Sequence, residues 1–323
     1  MANISVEAIH LTKHYGAYNA VDDVSFSGSQ GEIIGLLGPN GAGKTTTIRL
    51  LTTVLGPTSG EFSIAGHQST AATEIRRCIG VLPESSGYPS HQTGGEYLRF
   101  YARLYGLSRR QARSLSAELL AAVGLEQWGR SRISIYSRGM RQRLGIARAL
   151  VNDPSVVFLD EPTLGLDPAG QAQVLDIIRT VATARDATVV LSTHLLPEVE
   201  QVCSKVVILN QGRVVVSGSV GEVIGRALIE HSAYLRVPLH HVERARQALM
   251  HFPGLTINQV EGQPDLLRIA VETPGAASAA SPAEAMNTGL TAVTAAGIPV
   301  LRFELEGARL SDAFLKMTSE AVA

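Results

Sequence analysis

The 323-residue chain has two cysteines, almost no imbalance of charge, and no apolar run approaching the roughly 20 residues of a membrane-spanning helix. Each shortage excludes a class. Cys78 and Cys203 are too few for a disulfide framework and sit inside apolar runs ("RRCIGVL", "VEQVCSKVVIL"), where a small buried side chain is the simplest reading and a reducing cytosol fits. With 28 Lys and Arg against 29 Asp and Glu, the net charge of −1 lacks the basic excess that non-specific nucleic-acid binding brings. The start, "MANISVEAIHLTKHYG", has neither the charged beginning nor the continuous apolar core of a signal peptide, and nothing in the chain is expected to cross a bilayer. What remains is an ordinary globular composition, 45% hydrophobic and 18% charged, enough for two domains with their own cores.

Hydrophobic patterning divides the chain. "ISVEAIHLT" alternates as a half-exposed antiparallel strand, and "AVDDVSFSGSQGEIIGLLG" holds two apolar runs with a turn expected around Gly28 to Gly31. After Gly38, helical patterns alternate with the short runs "CIGVLP", "SVVFLDEP", "ATVVLSTH" and "KVVILN", as buried parallel strands do. This is an α/β layout, interrupted at about residues 93–135 by a stretch with helical patterns only. A break near residues 225–232 separates a first domain, 1–228, from a second, 232–323, whose segments spell β, α, β, β, α, β, the order of a small α+β ferredoxin-like unit. Within it "TPGAASAASPAE" reads as a low-complexity loop, and His240, His241 and His251 lack a ligand-like set of partners.

Three segments carry chemistry. "YSRGMRQRLGIARAL", residues 136–150, can be read as a DNA-facing helix through Arg141, Arg143 and Arg148, or as a helix N-terminus whose unpaired N–H groups near Ser137 and Gly139 bind an anion. "GPNGAGKTT", running Gly38, Pro39, Asn40, Gly41, Ala42, Gly43, Lys44, Thr45 and Thr46, follows the strand "EIIGLL" and opens a helix. That is a P-loop: glycines let backbone N–H groups wrap phosphates, Lys44 reaches the terminal phosphates, and the Thr45 hydroxyl suits Mg2+. In "SVVFLDEP" a strand delivers Asp160 and Glu161 to the sheet edge at which α/β proteins bind ligands, Asp160 to hold Mg2+ and Glu161 to polarise an attacking water. The Lys44 and Glu161 strands are expected to be neighbours.

These motifs, with "YSRGM" before the Asp160 strand, "GLDP" at 165–168 after it and "STH" at 192–194, resemble those of an ATP-binding cassette protein over roughly residues 1–220. The resemblance implies an α/β P-loop NTPase cassette with a parallel core sheet, an antiparallel β subdomain and a helical insert. It also implies a signature motif at Ser137 and Gly139, a loop linking two nucleotide sites at Asp167, a switch histidine at His194, and Tyr15 against adenine, with Tyr18 as a rival. The sequence departs from the pattern in two places. Glu84 in "VLPESSGYP" stands where most cassettes carry glutamine; its carboxylate can still coordinate Mg2+. Arg138 and Met140 replace the commoner glycine and glutamine of the signature, and Arg138 adds a cation beside the anion site. "LPE", "YSRGMRQRL" and the "LSDAFLKMT" end resemble the branch that powers drug, antibiotic or polysaccharide exporters. That branch implies ATP and Mg2+, a homodimer through the nucleotide sites, a membrane permease on a separate chain, no direct nucleic acid, and a cytoplasmic location at the inner face of the membrane. The alternatives are a soluble cassette ATPase of DNA repair or translation and a nucleotide-binding regulator without turnover.

Overall fold

The computed structural model describes residues 3–320 except 86, 228, 253–254, 272–281 and 307–308. Two compact units form, Met1–Val220 and Gly221–Glu320.

In the first unit, β1 (Ile4–Tyr15) and β2 (Tyr18–Ser29) make the expected antiparallel pair, and β3 (Ile33–Leu37) leads through the P-loop into α1 (Lys44–Leu51). Then come β4 (Ser59–Ile64), β5 (His67–Gln68), α2 (Ala72–Cys78) and β6 (Ile79–Leu82). The helical stretch is the hairpin α3 (Gly94–Leu104) and α4 (Arg109–Ala122), followed by α5 (Arg138–Ala149). Thr93 with Glu96, and Ser108 with Gln111, close a capping box at the start of each hairpin helix, satisfying N–H groups that the helix cannot. The unit ends with β7 (Val156–Asp160), α6 (Pro168–Arg185), β8 (Thr188–Thr193), α7 (Leu196–Val202), β9 (Lys205–Asn210) and β10 (Arg213–Ser219).

The main sheet runs β10-β9-β3-β8-β7-β6, with only the edge strand β10 antiparallel. Every residue of β3, β7 and β8 is buried, which is why these strands read as unbroken apolar runs. The expectation that the Lys44 and Glu161 strands are neighbours is wrong: β8 lies between β3 and β7. The crossovers make strands distant in the chain adjacent in the sheet. A second sheet, β2-β1-β4-β5, packs through Val6, Leu11, Val24 and Phe26 on a core shared with Ile48 and Leu51 of α1 and with Leu36, Phe158 and Val207. The turn expected around Gly28 to Gly31 forms at its later end, Gln30 and Gly31, while Gly28 is a strand residue paired with Val6. A Cβ there would stand 2.0 Å from Ile34 Cδ1, so this glycine serves close sheet packing and not a turn.

Helix α8 (Val220–Ala227) precedes the second sheet. The order is β11 (Ile229–Arg236), α9 (Val242–Met250), β12 (Leu255–Val260), β13 (Gln263–Val271), α10 (Pro282–Ala295) and β14 (Arg302–Glu306), the β-α-β-β-α-β succession expected, with α11 (Leu310–Glu320) after it. The sheet is antiparallel, β12-β13-β11-β14, over a core of Leu235, Leu249, Leu267, Ile269 and Val293. Most of the low-complexity stretch, residues 273–281, lies outside the described residues. His251 bonds the Gln247 carbonyl at 2.7 Å, and no group of three metal-ligating side chains occurs among the described residues.

Phe158 is wholly buried in the middle of β7. Phe158→Ala is expected to cost about 3–5 kcal/mol of unfolding free energy, read from the urea midpoint by circular dichroism.

Candidate active site

Parallel strands that end at one sheet edge bring their following loops together, and here β3, β8 and β7 deliver the P-loop, the "STH" segment and the "DEP" segment to the same place. The P-loop turns into α1 at Gly43, whose φ of 101° and whose Cβ position, 2.6 Å from the Ala20 carbonyl, both require glycine. No side chain caps α1, so its first N–H groups are free for an anion at the positive end of the helix. Lys44 is 6% exposed; its Nζ donates to the Gly38 and Pro39 carbonyls at 2.7 and 3.2 Å and stands 3.9 Å from Glu161 Oε1. Burial pushes the Lys44 amine below its ordinary pKa, and Glu161, Asp160 and Glu84 push it back up.

The strand between them orders the two carboxylates. Ser192 Oγ donates to Asp160 Oδ1 at 2.5 Å and accepts from the Glu161 N–H at 2.9 Å, while Thr45 Oγ1 donates to the same Asp160 oxygen at 3.2 Å. Glu161 takes φ of 49°, the left-handed region that an unstrained glutamate avoids, and this aims its carboxylate toward His194, whose Nδ1 is 2.9 Å from Oε2. Thr45, Asp160 and Glu84 offer only oxygen, the donor chemistry of Mg2+.

The cleft over this cluster is lined by Tyr15, Tyr18, Asn40, Gly41, Ala42, Gly43, Lys44, Thr45, Thr46, Glu84, Glu161, Leu164 and His194. Both tyrosines reach it, Tyr15 at 47% and Tyr18 at 58% exposure, so geometry does not choose between the two rivals. Ser137, Arg138, Gly139 and Asp167 do not line it. Ser137 caps α5, accepting from the Met140 N–H at 3.2 Å, and Asp167 caps α6, accepting from Gly170 at 3.3 Å. The expected residues thus fall into a cleft group, a group behind it that bonds Lys44 or Thr45 (Gly38, Pro39 and Asp160), and a group at two helix starts. Two arginines of α5 are structural ties, Arg143 bonding the Val123 and Gly124 carbonyls and Arg148 the Val81 carbonyl at 2.6 Å, while Arg141 is exposed. A recognition helix would leave these guanidiniums to solvent, so the DNA-facing alternative loses two of its three donors.

Sequence reading missed Ser192 and Glu198. The signal for Ser192 was in "STH", a hydroxyl at the carboxyl end of a buried strand. Glu198 sits on α7, 6% exposed, and its Oε2 accepts from Thr163 at 2.7 Å and Thr193 at 3.2 Å. Nothing in a solvated-looking "PEVEQ" announced it.

A P-loop lysine facing an ordered Asp-Glu pair across a parallel sheet defines a P-loop nucleoside-triphosphate hydrolase. The family model described as ABC transporter matches residues 21–164, and an AAA-domain model matches residues 131–199. The daunorubicin/doxorubicin resistance ATP-binding protein DrrA of Streptomyces peucetius is 35% identical over 97% of this chain and 92% of its own length. The bacitracin transport ATP-binding protein BcrA of Bacillus licheniformis is 40% identical over 64% of this chain and 67% of its own. The dimeric structure of a post-hydrolysis state of an ATP-binding cassette, bound to ADP and Pi, superposes with a TM-score of 0.61 at 25% identity, covering 66% of this chain and 98% of that one. This chain belongs to the ATP-binding, ATP-hydrolysing subunits of ABC transporters. No helix among the described residues is long and apolar enough to cross a membrane.

Burial raises the Glu198 carboxyl above its ordinary pKa of 4.5, and the nearby Glu161 charge adds to the rise, against the threonine bonds and His194. A raised folded-state pKa contributes stability that is fully present below 4.5 and is lost as pH rises through the folded value. Ionisation of the folded-state carboxyl is therefore a net cost that grows as pH rises. Glu198→Gln is expected to melt higher than wild type at pH 8, with the gap shrinking as pH falls toward 4.5, in thermal scans across that range.

Proposed function

We propose that the protein is the ATP-hydrolysing subunit of an exporter, acting as a homodimer in the cytoplasm at the inner face of the membrane, on a permease carried by a separate chain. The observation that carries this reading is the convergence of Lys44, Glu161 and His194 in one cleft, with the buried Asp160 bonded to the cleft residue Thr45. Relatives named for drug resistance and bacitracin transport support export and leave the DNA-repair or translation alternative without support. The ordered Glu161–His194 pair argues against a regulator without turnover.

In this reading the P-loop amides of Gly38 to Thr46 and the α1 dipole bind the triphosphate, and Lys44 exchanges its two carbonyl acceptors for terminal phosphate oxygens. Glu161 polarises the attacking water and takes its proton; His194 holds the carboxylate and reaches the γ-phosphate. Thr45, Asp160 and Glu84 hold Mg2+, which when bound neutralises charge on the phosphate oxygens. Tyr15 stacks on adenine. Ser137, Arg138, Gly139 and Asp167, lying at exposed helix starts outside the cleft, serve the nucleotide of the second subunit across a two-fold interface. Every assigned residue precedes residue 195, which supports a cassette at 1–228 and an accessory role for 232–323.

Lys44→Ala is expected to weaken ATP binding at least tenfold, whereas Glu161→Gln keeps ATP and loses turnover, as equilibrium binding and phosphate release would register. Undiminished hydrolysis by the glutamine variant overturns the assignment.

The cross-subunit role is tested by mixing two inactive variants, Ser137→Arg and Lys44→Ala. Half of randomly formed dimers are mixed and each holds one intact site of two, so about a quarter of wild-type sites should return. Absence of both rescue and ATP-dependent dimerisation, with subunit exchange demonstrated, counts against it.

A further inference from the structure

One buried carboxylate beside the catalytic pair takes no part in the reaction described. Glu198 Oε2 bridges two hydroxyls from different strands' loops: Thr163, two residues after Glu161, and Thr193, immediately before His194. Both threonines are fully buried. With the Glu161–His194 hydrogen bond at 2.9 Å, the chain closes into a ring: Glu161, Pro162, Thr163, Glu198, Thr193, His194 and back to Glu161. Thr193 Oγ1 also accepts from the Leu195 N–H at 3.0 Å, so its single proton is committed to Glu198.

The fourth link in the ring is costly. Glu198 Oε1 is buried with no hydrogen-bond partner among the described residues, and a carboxyl with half its acceptors unmet is an expensive way to fill a core position. An apolar side chain would pack there without that loss, but it would leave the Thr163 and Thr193 hydroxyls without an acceptor and their two loops unconnected. The residue is explained by what it ties together.

We propose that Glu198 is a positioning residue for hydrolysis, fixing the separation of Glu161 and His194 by holding Thr163 and Thr193 on one carboxyl oxygen. The role needs an acceptor at the Oε2 position and no negative charge. Burial holds the carboxyl toward its neutral form, which agrees with that requirement. Glutamine, of the same length, supplies the same acceptor, whereas alanine supplies none. The inference rests on the catalytic roles given to Glu161 and His194.

The test is steady-state hydrolysis and ATP affinity of the full chain for Glu198→Ala, Glu198→Gln and Thr163→Val, with melting curves for each and Glu161→Gln as reference. The expected result is a tenfold or larger fall in kcat for the alanine variant, ATP affinity within twofold of wild type, and recovery of most of the kcat by the glutamine variant. Thr163→Val keeps volume while cutting one tie and should show a smaller loss of the same kind; it carries the test if the alanine variant does not fold. Loss of kcat in step with loss of ATP affinity, wild-type kcat in both Glu198→Ala and Thr163→Val, or a folded glutamine variant as slow as alanine overturns the proposal. Were Glu161→Gln itself fully active, the roles beneath the inference would fail instead, so the two failures are separable.

Discussion

The hydrogen bonds that meet on Asp160 Oδ1 decide how the rest of the cassette is arranged. A carboxylate 3% exposed at the end of a central strand must find donors within the protein, and it finds Thr45 from the P-loop helix and Ser192 from the strand between. Satisfying that one oxygen brings three chain segments, far apart in sequence, to a common edge. The same serine then takes the Glu161 N–H, so the strained backbone that aims Glu161 is held by the group that keeps Asp160 paired.

Much of this was legible beforehand, for physical reasons that can be stated. Strands buried on both faces are apolar wherever no hydrogen-bond partner awaits, so β3, β7, β8 and β9 stood out, and the P-loop needs glycine and lysine at fixed places. The order of strands in the sheet was not legible, since crossover connections separate chain order from spatial order; this is why β8 was not expected between β3 and β7. Strands β4, β5 and β10 escaped for another reason. They are short or half-exposed, and "SGEFSI" carries too few apolar residues to announce a period. Gly28 shows the converse error, a glycine counted into the turn that forms at Gln30 and Gly31 when its missing side chain makes room for Ile34.

Within the site, residues that face a ligand were easier to read than residues that face one another. Lys44, Asp160 and Glu161 belong to local motifs whose spacing follows from the geometry of phosphates and strand ends. Glu198 acts through contacts made 35 residues back, at Thr163, and five residues back, at Thr193. Its meaning exists only once the sheet has formed. The hydroxyls of Thr163, Ser192 and Thr193 belong to the same hidden layer, each looking from sequence alone like an ordinary strand-end residue.

The arginine ties on α5 give that helix mechanical properties. A 12-residue helix is a stiff rod about 18 Å long, and this one carries Ser137 at its free tip while Arg148, near its far end, grips the carbonyl of Val81 at 2.6 Å, three residues before Glu84. Arg143 clamps its middle to the carbonyls that end α4. Rod, clamp and grip make a lever with a fulcrum. Ser137 at one end and the Val81 carbonyl at the other are thus joined by helical backbone and a guanidinium bond, with no loop in the path between them.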